Sequence, residues 1–197
     1  MKASMPAPTR RSPTRVGPLA VVLAIAAVAA CGMDPIHDGA VAEQGKETTG
    51  VPIGEFHRAG QPCVVCHADS GPASTVFSVA GTVFAGPNNT VGVGGATVQM
   101  TDAKGSKFEK TTNCVGNFFV KPSDWDPAFP ILVRVAKGAA KRSMKTPIGR
   151  EPSCGNCHVR VIDDDNRFGS MPHIYLFGDV DPQGPAKDCP VNPDLGL

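Results

Sequence analysis

The pentapeptide Cys-x-x-Cys-His occurs twice in this 197-residue chain, as Cys63-Val64-Val65-Cys66-His67 and as Cys154-Gly155-Asn156-Cys157-His158. Cysteines at this spacing can bond through sulfur to the two vinyl groups of one haem. The adjacent histidine then reaches the iron from the same side. One copy is compatible with chance or with a redox dithiol. Two copies in a chain with an export signal point to two covalently bound haem c groups, held by Cys63, Cys66, Cys154 and Cys157, with His67 and His158 as proximal iron ligands.

The export signal is residues 1–31. Lys2, Arg10, Arg11 and Arg15 form a basic leader, followed by an uncharged apolar run from Leu19 to Ala30. That run is too short to span a bilayer, which needs about 20 helical residues, but suits a signal-peptide core. Val28-Ala29-Ala30-Cys31 resembles the lipobox of bacterial lipoproteins, which implies lipidation of Cys31 and a membrane anchor; an ordinary signal peptide cut near Ala30 is the alternative. Gly32 after Cys31 is not an aspartate retention signal, so an outer-membrane or cell-surface destination fits as well as the periplasm. The seven cysteines then divide without remainder: one to lipid, four to haem, and Cys114 with Cys189 left as a candidate disulfide. Two free buried thiols are the other reading of that last pair.

Without the leader, 15 Lys and Arg stand against 18 Asp and Glu, a net charge of −3. No basic stripe marks a nucleic-acid partner. Only 6% of residues are aromatic, and 22 Gly and 19 Pro favour turns over long helices, so a cofactor would supply apolar volume that side chains lack.

Along the chain, residues 32–51 hold few large apolar residues and read as a flexible tether. Residues 52–74 form the first motif segment, rich in Gly and Pro. Residues 75–140 change character: β-formers at Val76–Phe84, an alternating Ala96–Thr101, then Phe108–Thr112, Asn117–Val120 and Ile131–Val135, separated by turn signals at Gly86–Asn89 and Asp102–Gly105. Short strands at this spacing predict a mainly β architecture, a small antiparallel β-sandwich flanked by two loop-rich haem-binding segments. A basic linker follows, with Lys137, Lys141, Arg142, Lys145 and Arg150, read as a solvated loop or as cations that pair with propionates or steer an acidic partner. Residues 141–197 carry the second motif, an acidic Asp163–Asp165 turn and a final strand, Ile174–Phe177.

Gly81-Thr82-Val83-Phe84, Gly94 to Gly105, and Thr111 to Val120 with its Gly116-Asn117-Phe118 together resemble the carboxypeptidase regulatory-like domain. The resemblance implies a small Ig-like or transthyretin-like sandwich serving as a structural or interaction module, without catalysis. The departure is Cys114-Val115, where the family usually has a small or acidic residue before Gly-Asn-Phe.

Two Cys-x-x-Cys pairs also fit a zinc site made of four thiolates, but zinc gives no reason for a histidine after each pair, and 87 residues separate the two pairs. A thioredoxin-like dithiol would want a βαβ context. With haem, the sixth iron ligand decides function. His57, six residues before Cys63, and His173, fifteen after His158, are the candidates, with Met144 and Met171 as thioether alternatives; His37 falls in the tether. Whether the motifs meet at one end of the sandwich or lie at opposite ends is open at this level. The whole pattern resembles a dihaem c-type cytochrome lipoprotein, which implies electron transfer with redox partner proteins or extracellular acceptors. A dihaem peroxidase with one open iron is the enzymatic alternative. A surface binding module is the third, with Trp125 either a candidate aromatic platform or, the favoured reading, buried at a strand end.

Overall fold

The computed structural model describes residues 34–47, 51, 53–87, 91–158, 171–177 and 189. They belong to two compact units, the first ending at Asp38 and the second running from Gly39 to Leu197. The leader and Cys31 lie outside the described residues, as does the Asp163–Asp165 run. At the end of the first unit, the Asp34 carboxylate accepts the N–H groups of Ile36 and His37 at 3.1 Å and so caps helix α1, Pro35–Glu43. Asp followed by Pro is a helix-start signal, and it sets local order in a segment whose composition reads as a tether. Among the described residues no helix is long and apolar enough to cross a membrane.

The second unit is strand-rich. After α2, Cys63–Cys66, come β1, Val79–Thr82; β2, Thr97–Thr101; β3, Lys107–Thr111; β4, Asn117–Val120; β5, Leu132–Lys137; and β6, Ala140–Ser143. β1 pairs with β4, and the other four form a sheet in the order β3-β2-β5-β6, every pairing antiparallel. The alternation read in β2 is the observed one: Val98 and Met100 are buried while Thr97, Gln99 and Thr101 are half-buried. Phe118, Met100, Ile131, Val79, Val83, Val98 and Val120 are the largest fully enclosed hydrophobic side chains among the described residues. Each such side chain contributes about 1.5–3 kcal/mol by leaving water. Trp125 joins this core, stacked on Phe108 at 5.6 Å with its Nε1–H donating to Ser106 Oγ, so it offers no exposed platform.

Two boundaries differ from the sequence reading. The sandwich does not stop at Ala140. A two-residue turn, with Gly138 at φ 57°, reverses the chain into β6, so Lys141 and Arg142 sit on an edge strand rather than in a linker. Cations suit an edge because they discourage pairing with another chain, and their polarity hides the strand from pattern reading. Among the described residues, Ile174–Phe177 joins the sandwich through one parallel bridge, Tyr175 to Phe84, rather than as a full strand.

That bridge matters for the site. Phe84 N–H donates to Ile174 O at 2.7 Å, and Leu176 N–H donates to Phe84 O at 3.1 Å. Earlier along the same stretch, Ala80 N–H donates to Pro152 O at 3.1 Å. Both pieces of the second motif's segment therefore line β1 and its continuation through Phe84, on the edge that β4 leaves open.

Candidate functional site

The first motif folds as the one-turn helix α2, closed by His67 N–H donating to Cys63 O at 3.0 Å. The His67 ring stacks on Phe77 at 4.1 Å, and Phe77 stacks in turn on Phe119 of β4 at 4.9 Å. His67 Nδ1 lies 2.7 Å from Thr75 O. A carbonyl can only accept, so Nδ1 carries the proton and Nε2 keeps its lone pair for a metal. Cys63, Cys66, His67, Phe77 and Phe119 line a cavity of about 630 Å³, whose lining also includes His57. That is the size range of a cofactor pocket.

His57 is held in place by the sandwich. Asn117 Nδ2 donates to His57 O at 3.0 Å and to Glu55 O at 3.3 Å; Asn113 Nδ2 donates to Glu55 O at 2.6 Å. Thr82 Oγ1 donates to Asn117 Oδ1 at 2.7 Å and accepts Gly60 N–H at 2.8 Å. The paired ends of β1 and β4 thus fasten the 55–60 loop. The His57 and His67 ring centroids stand 6.1 Å apart with planes at 77°. Two imidazoles on opposite sides of one metal, at metal–nitrogen distances of about 2.0 Å, place their centroids on the order of 6 Å apart.

Behind His57 lies Glu47, whose Oε1 is 3.4 Å from His57 Nδ1 and accepts Arg58 Nε at 2.8 Å. Burial raises the Glu47 pKa, but the Arg58 hydrogen bond and charge, with His57 beside it, outweigh that and hold it below the usual carboxylate value. Arg58 is the described non-glycine residue with positive φ, 51°, and its guanidinium also donates to Gln44 O, Gly45 O and Gln61 Oε1. Strained backbone of this kind persists where surrounding bonds over-determine it.

The second motif begins with a 3-10 turn, Cys154–Asn156, and His158 N–H donates to Cys154 O at 2.9 Å. His158 Nδ1 lies 2.7 Å from Pro172 O, the same arrangement as His67 with Thr75. Cys154 is buried against Gly81 of β1, where a Cβ would come within 2.7 Å of Cys154 Cβ; Cys157 is exposed. A Cβ on Gly155 would lie 2.6 Å from Gln61 O, and Val64 N–H points at Ser153 Oγ at 3.4 Å. The two motifs, far apart in sequence, meet at one edge of β1. Burial pushes the Cys63 thiol up to about 11 and the Cys154 thiol to about 12, and the charge of Cys63 adds to the shift at Cys154.

All four motif cysteines are free thiols, and Cys114 is bonded to Cys189 as the pairing by elimination anticipates. Among the described residues no three His, Cys, Asp or Glu side chains are grouped so that they could hold a metal ion. His173 is buried and stacked on Phe84 at 4.2 Å, next to the Pro172 carbonyl that fixes His158. Met171 is exposed, with its N–H donating to Cys157 O at 3.2 Å; Met144 N–H pairs with Val133 O at the end of β6. Neither methionine lines the first cavity. Sequence reading missed Glu47, Arg58, Asn113 and Asn117. The Gly-Asn-Phe signature did flag Asn117 as part of the sandwich, but nothing in sequence links Glu47 to His57. No protein-family profile, curated protein or solved structure matches the chain.

Proposed function

We propose that the chain is a dihaem cytochrome c that transfers electrons, exported and lipid-anchored through Cys31 in the periplasm or at the outer membrane. The observation that carries this reading is repeated at both motifs: the histidine after each cysteine pair has Nδ1 on a backbone carbonyl at 2.7 Å, leaving Nε2 for iron. At the first motif both thiols line a cavity large enough for a cofactor, with Phe77 and Phe119 as apolar wall and His57 near His67. The residues present fit a haem there. Attachment needs no oxidant, since each thiol adds across a vinyl group with sulfur bonding one carbon and the proton going to the other.

When bound, haem supplies a one-electron ferric–ferrous couple. The chain's own residues do the rest. His67 and His57 would hold the group, the Thr75 carbonyl would orient His67, and the phenylalanines would exclude water. The two motif segments meet at one edge of β1, so haems held by them would lie near each other, which would favour electron exchange between them and with a protein or extracellular acceptor. In this reading the sandwich is the scaffold, in keeping with its resemblance to the carboxypeptidase regulatory-like domain.

The test is the intact mass of the mature protein under denaturing conditions, after expression with c-type maturation machinery. Denaturation strips non-covalent haem and zinc but leaves thioether-linked haem. A gain of two haem masses is the expected result; no gain overturns the proposal.

A further inference from the structure

We infer that Glu47 is a positioning residue for His57, setting that ring as the second axial ligand at the first motif and lowering the potential there. The inference rests on the haem reading above. His67, His158 and His57 differ in what their Nδ1 atoms face. His67 and His158 face neutral backbone carbonyls, whereas His57 faces a carboxylate. An anionic acceptor draws the Nδ1 proton more strongly, makes Nε2 a better electron donor and favours ferric iron over ferrous.

The carboxylate is itself placed. Arg58 Nε holds Glu47 Oε1 at 2.8 Å, and Arg58 is fastened to Gln44 O, Gly45 O and Gln61 Oε1 at 2.7–2.8 Å. His57 Nδ1 and Glu47 Oε2 are buried without a hydrogen-bond partner, so the 3.4 Å approach of His57 to Oε1 stops just short of a bond. Buried polar atoms left this way are costly. A small movement would close the pair, and a His57 ring that turned Nε2 toward a bound haem would have reason to make it. The backbone of His57 is fixed independently by Asn117, so Glu47 acts on ring orientation rather than on loop position.

The experiment uses the full-length, haem-loaded protein and its Glu47→Gln, Glu47→Ala and Glu47→Asp variants. Each is first weighed intact for two haems, then titrated potentiometrically and examined by electron paramagnetic resonance. Glu47→Gln keeps the size and the Arg58 contact and loses only the charge. It should raise one of the two potentials and leave the other, weakening the ferric preference about tenfold or more, each tenfold being about 59 mV. Glu47→Ala should also broaden or shift one low-spin signal, and Glu47→Asp should recover part of the potential. Two haems with both potentials and both signals unmoved in Gln and Ala variants would overturn the inference alone. A wild-type mass without haem would overturn the haem reading, and the inference with it.

Discussion

At the residue scale, thiols in one repeated motif meet different surroundings. Cys154 is pressed into the core against Gly81 while Cys157 is exposed, because the 3-10 turn places one side chain on each side of the docked segment. In the haem-free chain this makes stability depend on alkaline pH. The unfolded thiols titrate near 9.0, the folded ones at about 11 for Cys63 and about 12 for Cys154. The folded state holds these protons more tightly, so their contribution is complete below pH 9.0 and is lost as pH rises through 11 to 12. Urea midpoints of the haem-free chain should therefore fall with rising pH across that window, and Cys154→Ala should flatten the slope. Once sulfur is in a thioether, no proton remains to titrate, and the slope from these residues should vanish.

At the scale of elements, β1 is the organiser. One edge takes β4, the other takes Pro152–Ser153, with Tyr175 bridging to Phe84 just beyond the strand, and all four residues of β1 are buried. Gly81 is a point of close approach, so Gly81→Ala drives a methyl group to within 2.7 Å of Cys154 Cβ. The neighbour there is a packed turn rather than a flexible tip. The substitution should cost about 1–3 kcal/mol, as overpacking does. It should also speed alkylation of Cys154 in the haem-free chain, read by mass after iodoacetamide pulses. Much of this level was legible: the β-formers before Gly86, the alternation in β2 and the Asn117–Val120 run each announce their strands. The parts that stayed hidden are those where polar residues or long-range contacts decide. β6 is hidden by Lys141 and Arg142. The His57 pocket depends on hydrogen bonds from Asn113 and Asn117, 58 and 60 residues from their partners, which no local pattern encodes. The cysteine–histidine pentads were plain in sequence, whereas their meeting across β1 was one of two allowed topologies.

At the scale of the whole molecule, the Cys114–Cys189 bond joins residues 75 apart in sequence. Everything from β4 to the second motif lies inside the loop it closes. A cross-link of that span contributes about 2–4 kcal/mol by restricting the unfolded chain. Cys114→Ser should lower the thermal midpoint accordingly, with reductant reproducing the drop in the parent protein and having no further effect on the variant. The burial of Cys154 has one more consequence, this time for the order of events in the life of the chain. A thiol enclosed between Gly81 and the core is out of reach of any attachment enzyme once the sandwich has closed. For a chain that takes haem at Cys154, maturation and folding are then in a race. The carboxy-terminal motif must be loaded while β1 still has a bare edge, and closure of that edge ends the opportunity.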